Sequence, residues 1–136
     1  MSARSKARKA ALDLLYESDI RRTSAESLLT QRIESLEYLI RDYTKTLVAG
    51  VALNKSRIDE LIQSYAQGWD FDRMPVIDRN LLRIAIYELL YEKDLAPAIA
   101  ISEAVELAKT LSTDDSATYI NGILSTIDKI KDGLIL

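Results

Sequence analysis

The 136-residue chain contains neither cysteine nor histidine. This excludes disulfides, thiolate nucleophiles, Cys/His zinc sites and any catalytic triad built on imidazole. Its 4 glycines stand singly at 50, 68, 122 and 133, so no Gly-rich phosphate-binding loop can form. No stretch approaches the ~18 consecutive apolar residues of a membrane span. The basic start runs into Ala10-Ala11-Leu12-Asp13-Leu14-Leu15, whose acid interrupts any signal-peptide core, so a soluble, intracellular protein is expected, with a cytoplasmic location. The carboxylate pairs Asp114-Asp115 and Asp70/Asp72 read as helix caps and solvated faces rather than acid–base or magnesium sites. No catalytic residue, metal or cofactor is expected, and the chemistry that remains is binding.

The composition is that of a chain that packs. Hydrophobic residues make up 48% and charged residues 29%, enough of the first to build a core and too little bias in the second for disorder. The length fits one domain. A formal net charge of -3 argues against a nucleic-acid partner, until the charge is located. Arg4, Lys6, Arg8 and Lys9 precede the first acid, Asp13, and the remainder holds 14 bases against 21 acids, a body at -7. A small cationic arm is joined to an acidic body.

Hydrophobic period gives the organisation. Ala7, Ala10, Ala11, Leu14 and Leu15 fall on one stripe of a first helix, and the four cations of the arm either project together, away from it, towards phosphates or form a frayed, solvated N-terminus, two readings that the arm alone leaves even. Thr23-Ser24-Ala25-Glu26 has capping-box spacing and predicts a second helix with Leu28, Leu29 and Ile33 inward. Leu36, Leu39, Ile40, Tyr43, Leu47, Val48 and Val51 predict a third, Asn54 with Ser56 a stop and new cap, and Ile58, Leu61, Ile62 and Tyr65 a short fourth. Gly68, within Gln67–Asp72, marks an internal boundary, and Pro75 suits the first turn of a new helix. From Val76 to Tyr91 apolar residues cover most of the circumference, so this helix must be wrapped by others. Ile99 to Leu111 predicts another helix, and Asp114 or Asp115 caps the last.

Asn121-Gly122 is a hairpin dipeptide, yet Ala117, Ile120, Leu124, Ile127 and Ile130 carry helical spacing through it, so a helix is predicted. A glycine inside that helix costs about 1 kcal/mol relative to alanine. It therefore predicts close approach by a second helix, the favoured reading, or by a ligand. The expected fold is all-α: two small helical bundles, residues 1 to about 66 and about 70 to 136, packed into one domain.

Four blocks in order extend this reading: residues 7–16, ARKAALDLLY; 82–89, LRIAIYEL; 100–109, AISEAVELAK; and 119–124, YINGIL. In that order they resemble the NusB family of bacterial transcription antitermination factors over essentially the whole chain. The resemblance implies a non-enzymatic RNA-binding factor. With the ribosomal protein NusE, such a factor binds single-stranded boxA RNA within the RNA polymerase antitermination complex and makes polymerase resist termination on ribosomal RNA operons. It places RNA contacts on Arg4, Lys6, Arg8 and Lys9 and on Asp115, Ser116, Tyr119 and Asn121, where Tyr119 takes the position of an aromatic able to stack on a base. It places the face for NusE on Tyr16, Asp72 and Asp78, carboxylates suited to a basic protein. A homodimer of the free protein stays open. The competing expectation is a helical protein-interaction adaptor that never touches RNA.

Overall fold

The computed structural model describes residues 1–35 and 39–136. Among the described residues there are six α-helices and no strand: α1 (Ala3–Arg21), α2 (Ala25–Glu34), α3 (Asp42–Tyr65), α4 (Val76–Tyr91), α5 (Pro97–Leu111) and α6 (Asp114–Ile130), with 3-10 turns at Phe71–Arg73 and Lys131–Gly133. The all-α expectation holds. Local chemistry sets the helix starts. The side chains of Ser2, Ser24 and Thr113 accept hydrogen bonds from the backbone N–H of Ser5, Ser27 and Ser116, satisfying donors that the first turn leaves free.

Two starts differ from the sequence reading. The cap of α2 is Ser24, one residue later than the Thr23 spacing implied, which leaves Glu26 in the first turn rather than as a reciprocal cap. Thr113 caps α6, and Asp114 and Asp115 come after it in the first turn, where carboxylates complement the positive end of the helix dipole. Pro97 occupies the first turn of α5, so that helix begins two residues before Ile99.

The axis of the fold is α4, and its bounds match the expected Val76 to Tyr91. Asp78 and every residue from Asn80 to Leu90 are buried. Helices α1, α3, α5 and α6 all pack on it, and the buried side chains join into one continuous core that includes Leu12, Leu47, Ile62, Leu82, Ile86 and Leu124. A helix enclosed on all sides must satisfy its polar groups inside the protein.

Glu88, Arg83 and Asn80 of α4 do so through ion pairs and hydrogen bonds to neighbouring helices. The Arg8 guanidinium of α1 donates through Nε to both carboxylate oxygens of Glu88 at 3.0 Å, and Tyr43 of α3 donates to the same carboxylate. Arg8 Nη1 also reaches Glu103 of α5 at 2.9 Å. Further along α4, Arg83 grips Asp59 of α3 through two bonds of 2.8 and 3.0 Å and donates to Asp19 of α1 at 2.7 Å. Asn80 adds a 3.0 Å bond to Asp19. Burial pushes the Asp19 carboxyl up, but Asn80 and Arg83 outweigh it and hold the group below the usual range.

Other departures have equally local causes. The predicted third and fourth helices are one: Asn54 turns its amide back to the Gly50 carbonyl at 2.9 Å, so α3 runs through the expected stop. Leu39 and Ile40 precede α3, and Leu39 is 96% exposed. The expectation on Leu36 falls outside the described residues. Ile33 is exposed, leaving Leu28 and Leu29 as the buried face of α2. Gly68 has φ +77°, the left-handed conformation that favours glycine at a chain reversal. At Gly50 a Cβ would overlap the Tyr87 ring, so this glycine is what lets α3 and α4 close together. Gly122 lies inside α6 as predicted, yet apart from its own neighbours and the backbone of α6 no atom lies within 4 Å of where its Cβ would stand. The favoured expectation of a helix packed against it is therefore wrong.

Two measurements test the buried pairs. Arg8→Ala should cost about 3–5 kcal/mol in urea unfolding because it strands the Glu88 carboxylate, and Arg8→Met/Glu88→Leu should recover much of that loss. A cost below about 1 kcal/mol for the single variant would show that the pair does not hold α1 in place. The depressed Asp19 carboxyl contributes stability above its unfolded pKa of about 3.9, and that contribution is lost as pH falls through the lower folded value. The stability gap between the wild type and Asp19→Asn should accordingly narrow below about pH 4.

Candidate nucleic-acid interface

The expected RNA-contacting residues form two groups at opposite ends of α4. The first surrounds the start of α1. Arg4 and Lys6 are exposed, and the Arg4 guanidinium lies 4.2 Å from the centre of the Tyr43 ring, a cation–π contact that orients it without neutralising it. Lys9 pairs with Asp13 at 2.7 Å, both side chains being open to solvent. Such an i,i+4 surface pair is weak and leaves the ammonium available to a phosphate.

Arg8 does not belong to this group. It is only 3% exposed and committed to Glu88 and Glu103, so it cannot project with the other cations. A signal for this was present in the sequence: Arg8, Ala11, Leu12 and Leu15 are themselves spaced i, i+3, i+4, i+7, which puts the arginine on the buried stripe.

The second group lies at the start of α6. Asp115 and Asn121 are exposed. Tyr119 is half-buried, its hydroxyl donating to the Gln67 carbonyl and its ring packed edge-to-face on Trp69 with centroids 4.5 Å apart. Ser116 is buried: its N–H completes the Thr113 cap at 2.9 Å, and its hydroxyl donates to Asp78 at 2.6 Å. Its place is structural. Trp69, which the sequence reading used only as a boundary marker, is the aromatic partner that reading missed. Gly68 and the acids Asp70 and Asp72 gave a turn signal and hid the ring's contact with a helix fifty residues on.

The two groups are fixed relative to each other. The first meets α4 at Glu88 and the second at Asp78, ten residues or about 15 Å along the helix.

The expected partner face divides in the same way. Tyr16 and Asp72 are exposed. Arg79 reaches Asp19, one turn beyond Tyr16 on α1, at 3.5 Å and the carbonyl of Phe71, next to Asp72, at 3.3 Å. Asp78 is 0% exposed, bonded to Ser116 within the protein, and so offers a partner nothing in this conformation. Among the described residues no cluster of His, Cys, Asp or Glu could hold a metal ion, and no helix is long and apolar enough to cross a membrane.

The fold and sequence match known proteins along almost their whole length. The model of the NusB family matches residues 5–129. The chain belongs to the NusB family. A transcription antitermination protein NusB from Nocardioides sp. is 52% identical over 98% of this chain and 99% of its own. A solved structure of T. maritima NusB superimposes with a TM-score of 0.82 at 35% identity, covering 98% of this chain and 99% of that one. The NusB in a crystal structure of the antitermination factors NusB and NusE with double-stranded RNA gives a TM-score of 0.80 at 29% identity, over 93% of this chain and 96% of that one.

Within this NusB-family chain the burial of Asp78 makes a sharp distinction. Asp78→Arg should lower the thermal midpoint and the helical circular dichroism signal, because it forces an unpaired charge into the core. Asp72→Arg, on an exposed turn, should leave both unchanged. Equal stability of the two variants would show that Asp78 reaches solvent after all.

Proposed function

We propose that this chain is an RNA-binding transcription antitermination factor. With the ribosomal protein NusE it binds boxA-type RNA and helps RNA polymerase resist termination on ribosomal RNA operons. The observation that carries this reading is the likeness, over 93% of the chain, to the NusB found with NusE and double-stranded RNA. The site geometry supports it. Arg4, Lys6 and Lys9 supply phosphate contacts, which give affinity without sequence information. Tyr119, with Asp115 and Asn121 beside it, supplies a ring and polar groups to an unstacked base. Tyr16 and Asp72 face NusE, where an aromatic anchor and a carboxylate suit a basic partner. The factor acts in the cytoplasm by assembly and not by catalysis, in keeping with the absence of imidazole and thiol groups.

Because Arg8 is buried, three cations of the arm remain for phosphates. Binding of a single-stranded boxA-type RNA to the chain alone should fall with salt at a log–log slope near about -2, each phosphate contact contributing about -0.7. Arg4→Ala/Lys6→Ala should flatten the slope to about -0.7 without changing stability. Affinity indifferent to both salt and this double variant would favour the adaptor that makes no RNA contact.

A further inference from the structure

The arm is not the whole of the cationic surface at its end of the molecule. Its helix, α1, is set against the first turn of α3: Thr44 donates through its hydroxyl to the Ala7 carbonyl at 3.0 Å, and the Arg4 guanidinium lies over the Tyr43 ring. Arg41 and Lys45 flank that tyrosine, two residues to either side. The Lys45 N–H bonds the Arg41 carbonyl at 3.3 Å, so the two cations stand one helical turn apart as i,i+4 neighbours.

The fold makes little use of either cation. Arg41 is exposed, stands at the cap of α3 without a side-chain bond, and has no ion pair among the described residues. It sits at the positive end of a helix dipole, where a cation is mildly unfavourable. Lys45 has Asp42 at 3.8 Å, an acid fully open to water, and a pair of that kind contributes little. Elsewhere the arginines of this acidic body find carboxylates at close range: Arg21 and Arg32 both hold Glu17, and Arg57 holds Glu60, each at 2.6 Å. At the arm the balance is reversed. Arg4, Lys6, Lys9, Arg41 and Lys45 have Asp13 and Asp42 as their paired acids, while Glu88 and Glu103 are committed to Arg8.

Such a surface selects a polyanion that can spread over separated cations. A lone phosphate or carboxylate would engage one of them, whereas a chain of phosphates engages them in succession. The arm and α3 are continuous through the contact of Arg4 with Tyr43, so a strand held by the arm finds Arg41 and Lys45 within one or two helical turns.

We propose that Arg41 and Lys45 bind phosphates of the RNA that flanks the boxA-type element, so that the first turn of α3 continues the track begun by the arm. These contacts carry no base information. They make the protein prefer the element within a longer transcript to the isolated element. This rests on the RNA-binding reading above and extends it to sequence outside the element.

The test compares three fluorescein-labelled single strands: the boxA-type element alone, and the element with a run of uridines added at its 5′ or its 3′ end. On the element alone the wild type should give the log–log salt slope near about -2 expected of the arm. At least one extended strand should steepen that slope by about 1.4, two further phosphates at about 0.7 each, and bind about 20-fold more tightly at about 0.1 M salt. Arg41→Ala/Lys45→Ala should return that strand to the slope and affinity of the element alone, with the thermal midpoint and the slope on the element itself unchanged. Removing two cations from the cleft walled by Arg22 and Lys55, as Arg22→Ala/Lys55→Ala, should leave the steeper slope in place, which separates local contacts from a change in net charge.

Equal slopes for all three strands, or a steeper slope that survives Arg41→Ala/Lys45→Ala, would overturn the proposal while leaving the arm's role intact. So would a loss of affinity for NusE in that variant with RNA binding unchanged, which would make the patch a protein surface. An element that fails to bind the wild type, alone or with NusE, would remove the underlying reading and this track with it.

Discussion

The enclosure of α4 from Asn80 to Leu90 is the constraint on which the rest of the molecule depends. A helix with no solvent-facing side cannot carry Asp78, Asn80, Arg83 and Glu88 unless each finds its partner within the protein, because a buried unpaired charge costs several kcal/mol. Those partners come from other helices. Glu88 takes Arg8 from α1 and Tyr43 from α3, Arg83 takes Asp19 from α1 and Asp59 from α3, and Asp78 takes Ser116 from α6. Two fixed points on α1, early at Arg8 and late at Asp19, meet α4 in reverse order and so dictate an antiparallel pair. Apolar contact alone would supply most of the attraction but would tolerate sliding. The ion pairs of Arg8 with Glu88 and of Arg83 with Asp19 and Asp59 fix one register.

The same constraint explains what could be read from the chain and what could not. The span of α4, the reversal at Gly68 and the helical course of residues 114–130 were legible because period and turn chemistry are local properties. The unbroken α3 was not: Asn54 can stop a helix or bond back to the carbonyl four residues earlier, and only the packing of both halves on one core decides between them. Arg8 and Asp78 were misjudged for a related reason. Charge is read as exposure unless a partner is known, and their partners lie 80 and 38 residues away in the chain. The informative pattern was the mismatch between an all-round apolar helix and the acids and arginine within it, which called for counter-charges elsewhere.

Moving Arg8 and Asp78 inward alters the functional geometry as well as the inventory of residues. Cations remain at the Glu88 end of α4, and the stacking ring and its carboxylates at the Asp78 end. On the proposed reading, affinity and selectivity are therefore supplied at separate places joined by a rigid rod. Phosphate contacts at the arm hold a strand without regard to sequence. A base at the other end of α4 is then presented at an effective concentration set by the nucleotides between.

That separation makes spacing a recognition element. A strand whose arm-bound phosphates and stacked base are joined by too few nucleotides cannot reach both ends of α4, and one joined by too many loses increasing loop entropy on making the second contact. The protein side of this ruler cannot adjust, since Arg8 and Ser116 each lock their helix to a defined turn of α4. The buried pairs that impose the fold thereby also set the distance at which an RNA would be read, although none of them touches it.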